Sequence, residues 1–248
     1  MLGLGTSLLS PYVLESGYVN THSLSLDGAG SGSDADFLDT NTTLQAQFRD
    51  SFSISCWVKL DDGRPSTTKY FAGAGTSGNI ISFFVSSAAQ TGFTHFSNGD
   101  IAIYSSNATQ FSDGANDWTH VGVVVTETGG TTAYKLYTNG SEVAGTLTLG
   151  VSAANQSQYT SSINFAFGAL NQTTATGGID GLIDECAVFD DALTDAEMLA
   201  IYNSGVPTDI TGHDHLFLYY KLNNSTTDEV GNSNGSLNGQ AAFSTTTP

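Results

Sequence analysis

Residues 51–60 read SFSISCWVKL. In an extended chain successive side chains point to opposite faces, so Phe52, Ile54, Cys56, Val58 and Leu60 share one side and Ser53, Ser55, Trp57 and Lys59 the other. That alternation predicts a half-buried β-strand. The same period recurs at 118–126, where Val121, Val123 and Val125 oppose Trp118, His120 and Val124. In TTAYKLYTNGSEVAG, residues 131–145, Asn139-Gly140 stands between two alternating runs. That dipeptide accepts the positive φ angles of a tight type I′ hairpin turn. NIISFFVSS (79–87), DIAIYSS (100–106) and INFAFGAL (163–170) continue the style. Many short strands separated by turn residues imply an all-β sandwich or barrel. One segment departs from this, DDALTDAEMLAIYNSG at 190–205. Thr194 and Glu197 form a capping box, Met198, Leu199, Ile201 and Tyr202 follow at helical spacing, and Gly205 and Pro207 close the run. A single short helix is predicted near residues 194–204.

The chain has 248 residues, a length that suits one large β domain. Hydrophobic residues make up 39%, with 14 Phe and 10 Tyr, enough for a sizeable core. Only 12% of residues are charged, yet 24 are Asp or Glu against 6 Lys or Arg, a net charge of -18. Such a surface repels phosphate backbones and carries no basic stripe, so nucleic acid and anionic membranes are not expected as partners. Cys56 and Cys186 each lie in an apolar strand-like run, ISCWV and DECAVF, as two buried thiols or one disulfide but not a disulfide scaffold. The opening MLGLGTSLLS has no Lys or Arg before its short apolar stretch, so neither a signal peptide nor a membrane span is expected. Residues 1–21 read as a Gly-rich N-terminal arm carrying Tyr12 and Tyr18. The arm is either an edge strand of the domain or an extended segment docking on a neighbouring subunit.

Three segments together carry a resemblance. HSLSLDGAGSGSDADFLDT (22–40) precedes FSISCWVKL (52–60), NDWTHVGVVVT (116–126) precedes KLYTNGSEV (135–143), and GGIDGLIDECAVFDDALTDAEMLAIYNSG occupies 177–205. Over residues 22–206 this pattern resembles the concanavalin A-like laminin G superfamily in the version shared by pentraxins and many bacterial and viral modules. The resemblance implies a jelly-roll sandwich. The strand signature with which such domains usually begin lies here at the end, in LFLYYKLNNSTTDEVGNSNGSLNG, residues 216–239. Residues 22–248 are therefore expected to form one domain whose usual first strand is supplied last, since termini of a sandwich often lie close together. The alternative is that 214–248 begin a second, truncated module, but so few residues bury no core alone and must pack on the main sandwich or a neighbour. The permuted layout, the glycine-rich start and the missing export signal are similar to those of laminin G-like proteins of marine bacteriophage particles. That similarity implies a virion protein made in the host cytoplasm, with a major capsid or tail protein and copies of itself as partners.

The superfamily's glucanases place Glu, Asp and Glu at alternating positions on one strand, pairing an acid with a nucleophile. The nearest match, Ile179 to Glu185, has Asp180 and Asp184 on one face, Glu185 on the other and no second glutamate, so no enzyme is expected. His213-Asp214-His215 reads as a loop rather than a metal motif. The stretches matching pentraxin calcium loops, GAGTSGN and GALNQTTATGG, supply Asn79, Asn171 and Gln172 but no carboxylate. No cofactor is expected, except a structural calcium ion at Asp27, Asp34, Asp36 and Asp39, whose alternative is a solvated acidic loop. For carbohydrate, TGFTHFSNGD offers Phe93, His95, Phe96 and Asn98, with Trp57 and Trp118 opposite their strands' apolar faces, and the alternative for each aromatic is the core. The expected function is a non-catalytic virion structural protein decorating or stabilising a capsid or tail. The alternative is a lectin-like adhesin that recognises host surface glycans.

Overall fold

A computed structural model describes residues 18–28, 34–76, 78–97, 100–150 and 159–248. Its strands are β1 (Ser23–Asp27), β2 (Phe37–Asp39), β3 (Phe52–Leu60), β4 (Lys69–Thr76), β5 (Asn79–Val85), β6 (Thr91–Ser97), β7 (Asp100–Ser106), β8 (Thr119–Thr128), β9 (Thr131–Thr138), β10 (Ser141–Val143), β11 (Gly145–Gly150), β12 (Ala166–Phe167), β13 (Asp180–Phe189), β14 (Leu216–Tyr220), β15 (Ser236–Asn238) and β16 (Ala242–Ser244). Among the described residues one α-helix, α1, spans Asp195–Tyr202. The first sheet runs β10-β9-β8-β3-β13-β1-β16, with β14 also paired to β13, and the second runs β11-β7-β6-β5-β4-β12-β2-β15. All strand pairings are antiparallel, and the two sheets form the sandwich expected from the sequence.

The core lies between the sheets. Ile54, Cys56, Val58, Val121, Val123, Ile183 and Val188 come from the first, and Phe71, Ile81, Phe83, Phe93 and Phe167 from the second. Phe48, Tyr159 and Phe165 fill the end between them, with ring centroids 4.7 Å apart for Phe48 and Phe52 and 5.2 Å for Phe71 and Phe83. Each fully buried phenylalanine contributes about 2–3 kcal/mol of transfer free energy, before the entropy of ordering it is counted. Cys56 and Cys186 are both buried free thiols, and burial pushes the pKa of each up.

β3 is buried on both faces, not one. Its outer side lies under α1 and the chain around it, where Val124, Tyr137, Ala187, Phe189, Leu193, Met198, Ile201 and Tyr219 make a second apolar cluster. The outward serines are satisfied locally, as buried hydroxyls require. The Ser53 hydroxyl donates to the Asp191 carbonyl at 2.9 Å and accepts from the Leu193 N–H at 2.9 Å, and Ser55 Oγ lies 2.8 Å from His120 Nε2. Trp57 stacks on Tyr202 with centroids 5.7 Å apart.

The punctuation read from the sequence is present. Asn139 and Gly140 both have positive φ, 50° and 71°. Thr194 caps α1 with both halves of the capping box formed. The helix stops at Asn203, which takes the left-handed conformation ahead of Gly205, as asparagine tolerates. Residues 216–248 enter both sheets: β14 pairs with β13, β15 with β2 and β16 with β1.

Two substitutions separate local from global contributions to this frame. Thr194→Ala is expected to cost about 1 kcal/mol through the lost cap. Gly181 has φ 137° and faces the neighbouring strand so closely that a Cβ would sit 2.1 Å from the Lys59 carbonyl oxygen. Gly181→Ala is therefore expected to cost about 3 kcal/mol or more, because the β3–β13 ladder must open to admit it. Denaturant midpoints of the two variants, measured side by side, check the ranking.

Candidate functional site

The outer faces of the two sheets differ. That of the first is covered by α1, whereas positions on β4–β7 that do not enter the core point away from the sandwich. The strand registers place them in rows. Ile80 lies opposite Phe96 and Phe96 opposite Ile101; Ser82, Thr94 and Ile103 form the next row; Tyr70, Phe84, Gly92 and Ser105 form the third. Ile80, Phe96, Ile101, Thr94, Ile103, Tyr70 and Ser105 are half-buried, as side chains on an open sheet face are. Phe84 lies flat over Gly92, where a Cβ would come within 2.3 Å of the ring, and meets Tyr70 nearly edge-on at 6.3 Å. None of these outward positions carries a charge, although the chain has a net charge of -18.

Of the residues singled out for carbohydrate, Phe96 is on this face. Phe93 and His95 alternate to the other side and are fully buried between the sheets. They cannot share a platform with Phe96, because neighbouring odd and even positions of one strand face opposite ways. His95 Nδ1 lies 3.4 Å from the Tyr134 hydroxyl, and burial lowers its pKa to about 4, so it is neutral. Asn98 lies outside the described residues. Trp57, 3% exposed, is covered by α1 and offers no platform. Sequence reasoning missed Tyr70, Ile80, Ile101 and Ile103. The alternation in NIISFFVSS and DIAIYSS held that signal, since each run carries large apolar groups on both sides.

The acidic residues proposed for calcium have structural contacts. Buried Asp36 accepts the backbone N–H groups of Asp27 at 3.0 Å and Gln240 at 2.5 Å, pinning β1 to the C-terminal segment. Asp39 accepts the Asn41 N–H at 2.7 Å, and Asp34 is exposed. Among the described residues no group of three or more His, Cys, Asp or Glu side chains is placed to hold a metal ion. His213 and His215 instead face Glu197, Asp190 and Asp191 at 3.7–3.8 Å.

The second concentration of chemistry is a sealed carboxylate pair. Between Asp184 and Ala187 the register of β13 against β3 shifts, and Glu185 takes φ 50°. This bulge breaks the alternation expected from sequence and puts both carboxyl groups on the outer side of the sheet. Asp184, opposite Trp57, is fully buried and accepts from the Asn20 amide at 2.7 Å. Glu185, 6% exposed, accepts from the hydroxyls of Tyr18 and Tyr219. Tyr18, expected as an assembly residue, therefore packs on its own chain, while Tyr12 lies outside the described residues. Thr21 and His22 extend the strap, both donating backbone N–H groups to Asn223.

Burial pushes the pKa of Asp184 well up and that of Glu185 to about 7. The folded chain thus holds a proton on Glu185 that the unfolded chain has lost between pH 4.5 and about 7. The stability it supplies is full below that window and is lost as pH rises through it. Buried His95 and His120, lowered to about 4 and about 3, act the other way: their stability is present above 6.5 and lost as pH falls. Because these slopes oppose, the readout is a difference between proteins. Relative to wild type, Glu185→Gln is expected to gain about 2–3 kcal/mol in unfolding free energy between pH 4.5 and about 8. A pH-independent difference would exclude a neutral Glu185.

The arrangement can be set beside known proteins. Among solved structures, a Bacteroides ovatus protein with a provisional carbohydrate-binding assignment superimposes with TM-score 0.62 at 18% identity, over 91% of this chain and 60% of that one. The chain thus spans 60% of that protein's length. A heptameric SAP-like pentraxin from Limulus polyphemus gives TM-score 0.58 at 14% identity, covering 91% of this chain and 95% of that one. The CBM40 module of the Ruminococcus gnavus IT-sialidase, bound to α2,3-sialyllactose, gives 0.54 at 17% identity, covering 72% and 96%. At these identities the likeness is one of fold. No curated protein sequence matches. The family model of the concanavalin A-like lectin/glucanases superfamily matches residues 29–198, well over half of the chain, and the chain belongs to that superfamily.

Proposed function

We propose that this protein is a non-catalytic, carbohydrate-binding display module whose contact surface is the outer face of β4–β7. The observation that carries the reading is the uncharged open face itself. Phe96 stands between Ile80 and Ile101, with the hydroxyl of Thr94 on the next row and that of Ser105 on the third. An aromatic ring beside short hydroxyls suits a pyranose, whose C–H face covers apolar surface while its hydroxyl groups exchange hydrogen bonds at the rim. Structural neighbours that include carbohydrate-binding modules support the same reading. A glycosidase needs two carboxyl groups flanking a bond that substrate can reach. Asp184 and Glu185, the adjacent buried pair, are enclosed by Asn20, Tyr18 and Tyr219, which supports a non-catalytic role.

The setting we propose is the surface of a bacteriophage particle, with a major capsid or tail protein as anchor. Its support is the sequence resemblance, and mass spectrometry of purified particles tests it: a chain absent from every particle fraction overturns the setting. Binding is tested with an oligosaccharide array followed by titration calorimetry. Phe96→Ala is expected to weaken the glycan bound by at least ~10-fold, about 1.4 kcal/mol, with an unchanged thermal midpoint. Leu199→Ser, 53% exposed on α1, is expected to leave affinity unchanged. Absence of binding to any glycan at high protein concentration overturns the proposal.

A further inference from the structure

We propose that the glycan held on β4–β7 is uncharged and that sialylated or uronic-acid sugars are rejected. This rests on the carbohydrate-binding reading above and specifies its ligand class. The argument is an account of the chain's cations. There are six Lys and Arg, and none occupies an outward position of the face. Arg49 Nε donates to the Tyr159 carbonyl at 2.7 Å, at the end of the core. Lys135 is paired with Asp195 at 2.7 Å and Glu142 at 3.0 Å beside α1. Lys221 is paired with Asp209 at 3.0 Å and Glu229 at 3.5 Å, next to the Tyr18 strap. Lys69 donates to the Gly28 carbonyl at 3.2 Å and lines a rim cleft of about 120 Å³ with Asp62 and Asp180. Lys59 belongs to the first sheet, beside Asp27, Asp61 and Asp180. Arg64 follows Asp61 and Asp62 in the β3–β4 connection.

A sugar carboxylate seated on the face would give up water without gaining a cation, which is costly for any ion. It would also do so in the field of a chain with net charge -18. Arginine or lysine is the usual solution to carboxylate recognition, through charge-assisted and often bidentate hydrogen bonds. The face instead offers the Phe96 ring, the Tyr70 phenol, three isoleucines, the hydroxyls of Thr94 and Ser105 and backbone, groups that pair with C–H surface and neutral hydroxyls. Binding without a charge pair is also insensitive to salt, since screening has nothing to act on.

The test sets neutral oligosaccharides from laminarin, mannan, galactan and chitin beside acidic probes, sialyllactose and alginate oligomers. Binding is measured from about 0.1 to about 1 M salt, where the Debye length falls from about 10 to about 3 Å. The expected result is binding to a neutral series that changes less than about 2-fold with salt and falls at least ~10-fold in Phe96→Ala, with acidic probes at least ~10-fold weaker. Ile101→Arg, opposite Phe96, is expected to raise sialyllactose binding at least ~3-fold by supplying the missing cation. Sialyllactose or alginate bound as tightly as any neutral sugar overturns the inference and leaves the carbohydrate reading standing. No binding to either class overturns both. So does self-association of the wild type that Phe96→Ala abolishes without any glycan signal, which gives the face to a second copy of the chain.

Discussion

β3 and β13 run antiparallel through the middle of the first sheet, from Leu60 opposite Gly181 to Ser53 opposite Phe189. Both strands are buried on the two faces at once, against the second sheet inside and against α1 outside. Every other layer is placed by this ladder. The core residues of β3 and β13 set the inner surface on which the Phe-rich second sheet packs. Their outward residues, Ser53, Ser55, Trp57 and Ala187, set the floor on which the helix rests. Among the described residues, a closed outer side on the first sheet leaves that of β4–β7 as the broad open one.

The bulge at Glu185 is the irregularity on which the chain's connectivity turns. It divides the free edge of β13 in two, so that β1 pairs with Asp180–Ile183 and β14 with Cys186–Phe189. Segments nearly two hundred residues apart in sequence thereby meet side by side, and the Tyr18–His22 strap reaches Asn223 across the junction. The cost is a non-glycine residue in the left-handed region and two carboxyl groups out of water, each of order a few kcal/mol. Protonation and the hydrogen bonds from Asn20, Tyr18 and Tyr219 offset that cost.

These particulars mark what the sequence made legible. Features written in nearest neighbours were readable: the two-residue period of β3 and β8, the positive-φ pair Asn139-Gly140, and the Thr194–Glu197 capping box. Features that depend on a distant partner were not. Nothing in SFSISCWVKL distinguishes an outer face open to water from one under a helix 140 residues later, because small serines serve in both. Strict alternation put Asp180 and Asp184 on one face and Glu185 on the other, and the bulge that overrides it arises from pairing with β3. Phe93, His95 and Phe96 were grouped by proximity along the chain. The pleat separates them, and only register with β5 and β7 shows that Phe96 belongs with Ile80 and Ile101.

Charge placement gives the open face its physical character. Carboxylates on the rims and loops keep acidic surfaces hydrated and copies of the chain apart at long range. An uncharged patch within such a surface is the place where water is displaced at least cost, since no ion there must be stripped of its shell. Apolar side chains alone would favour protein–protein contact, and hydroxyls alone would hold their water. Phe96, Ile80 and Ile101 in one row and Thr94 and Ile103 in the next combine the two, the rows lying two residues apart along each strand, about 6.7 Å. A ligand that matches this alternation must itself present apolar and hydroxyl surface within a few ångströms, which a neutral sugar ring does and a fully apolar or ionic molecule does not.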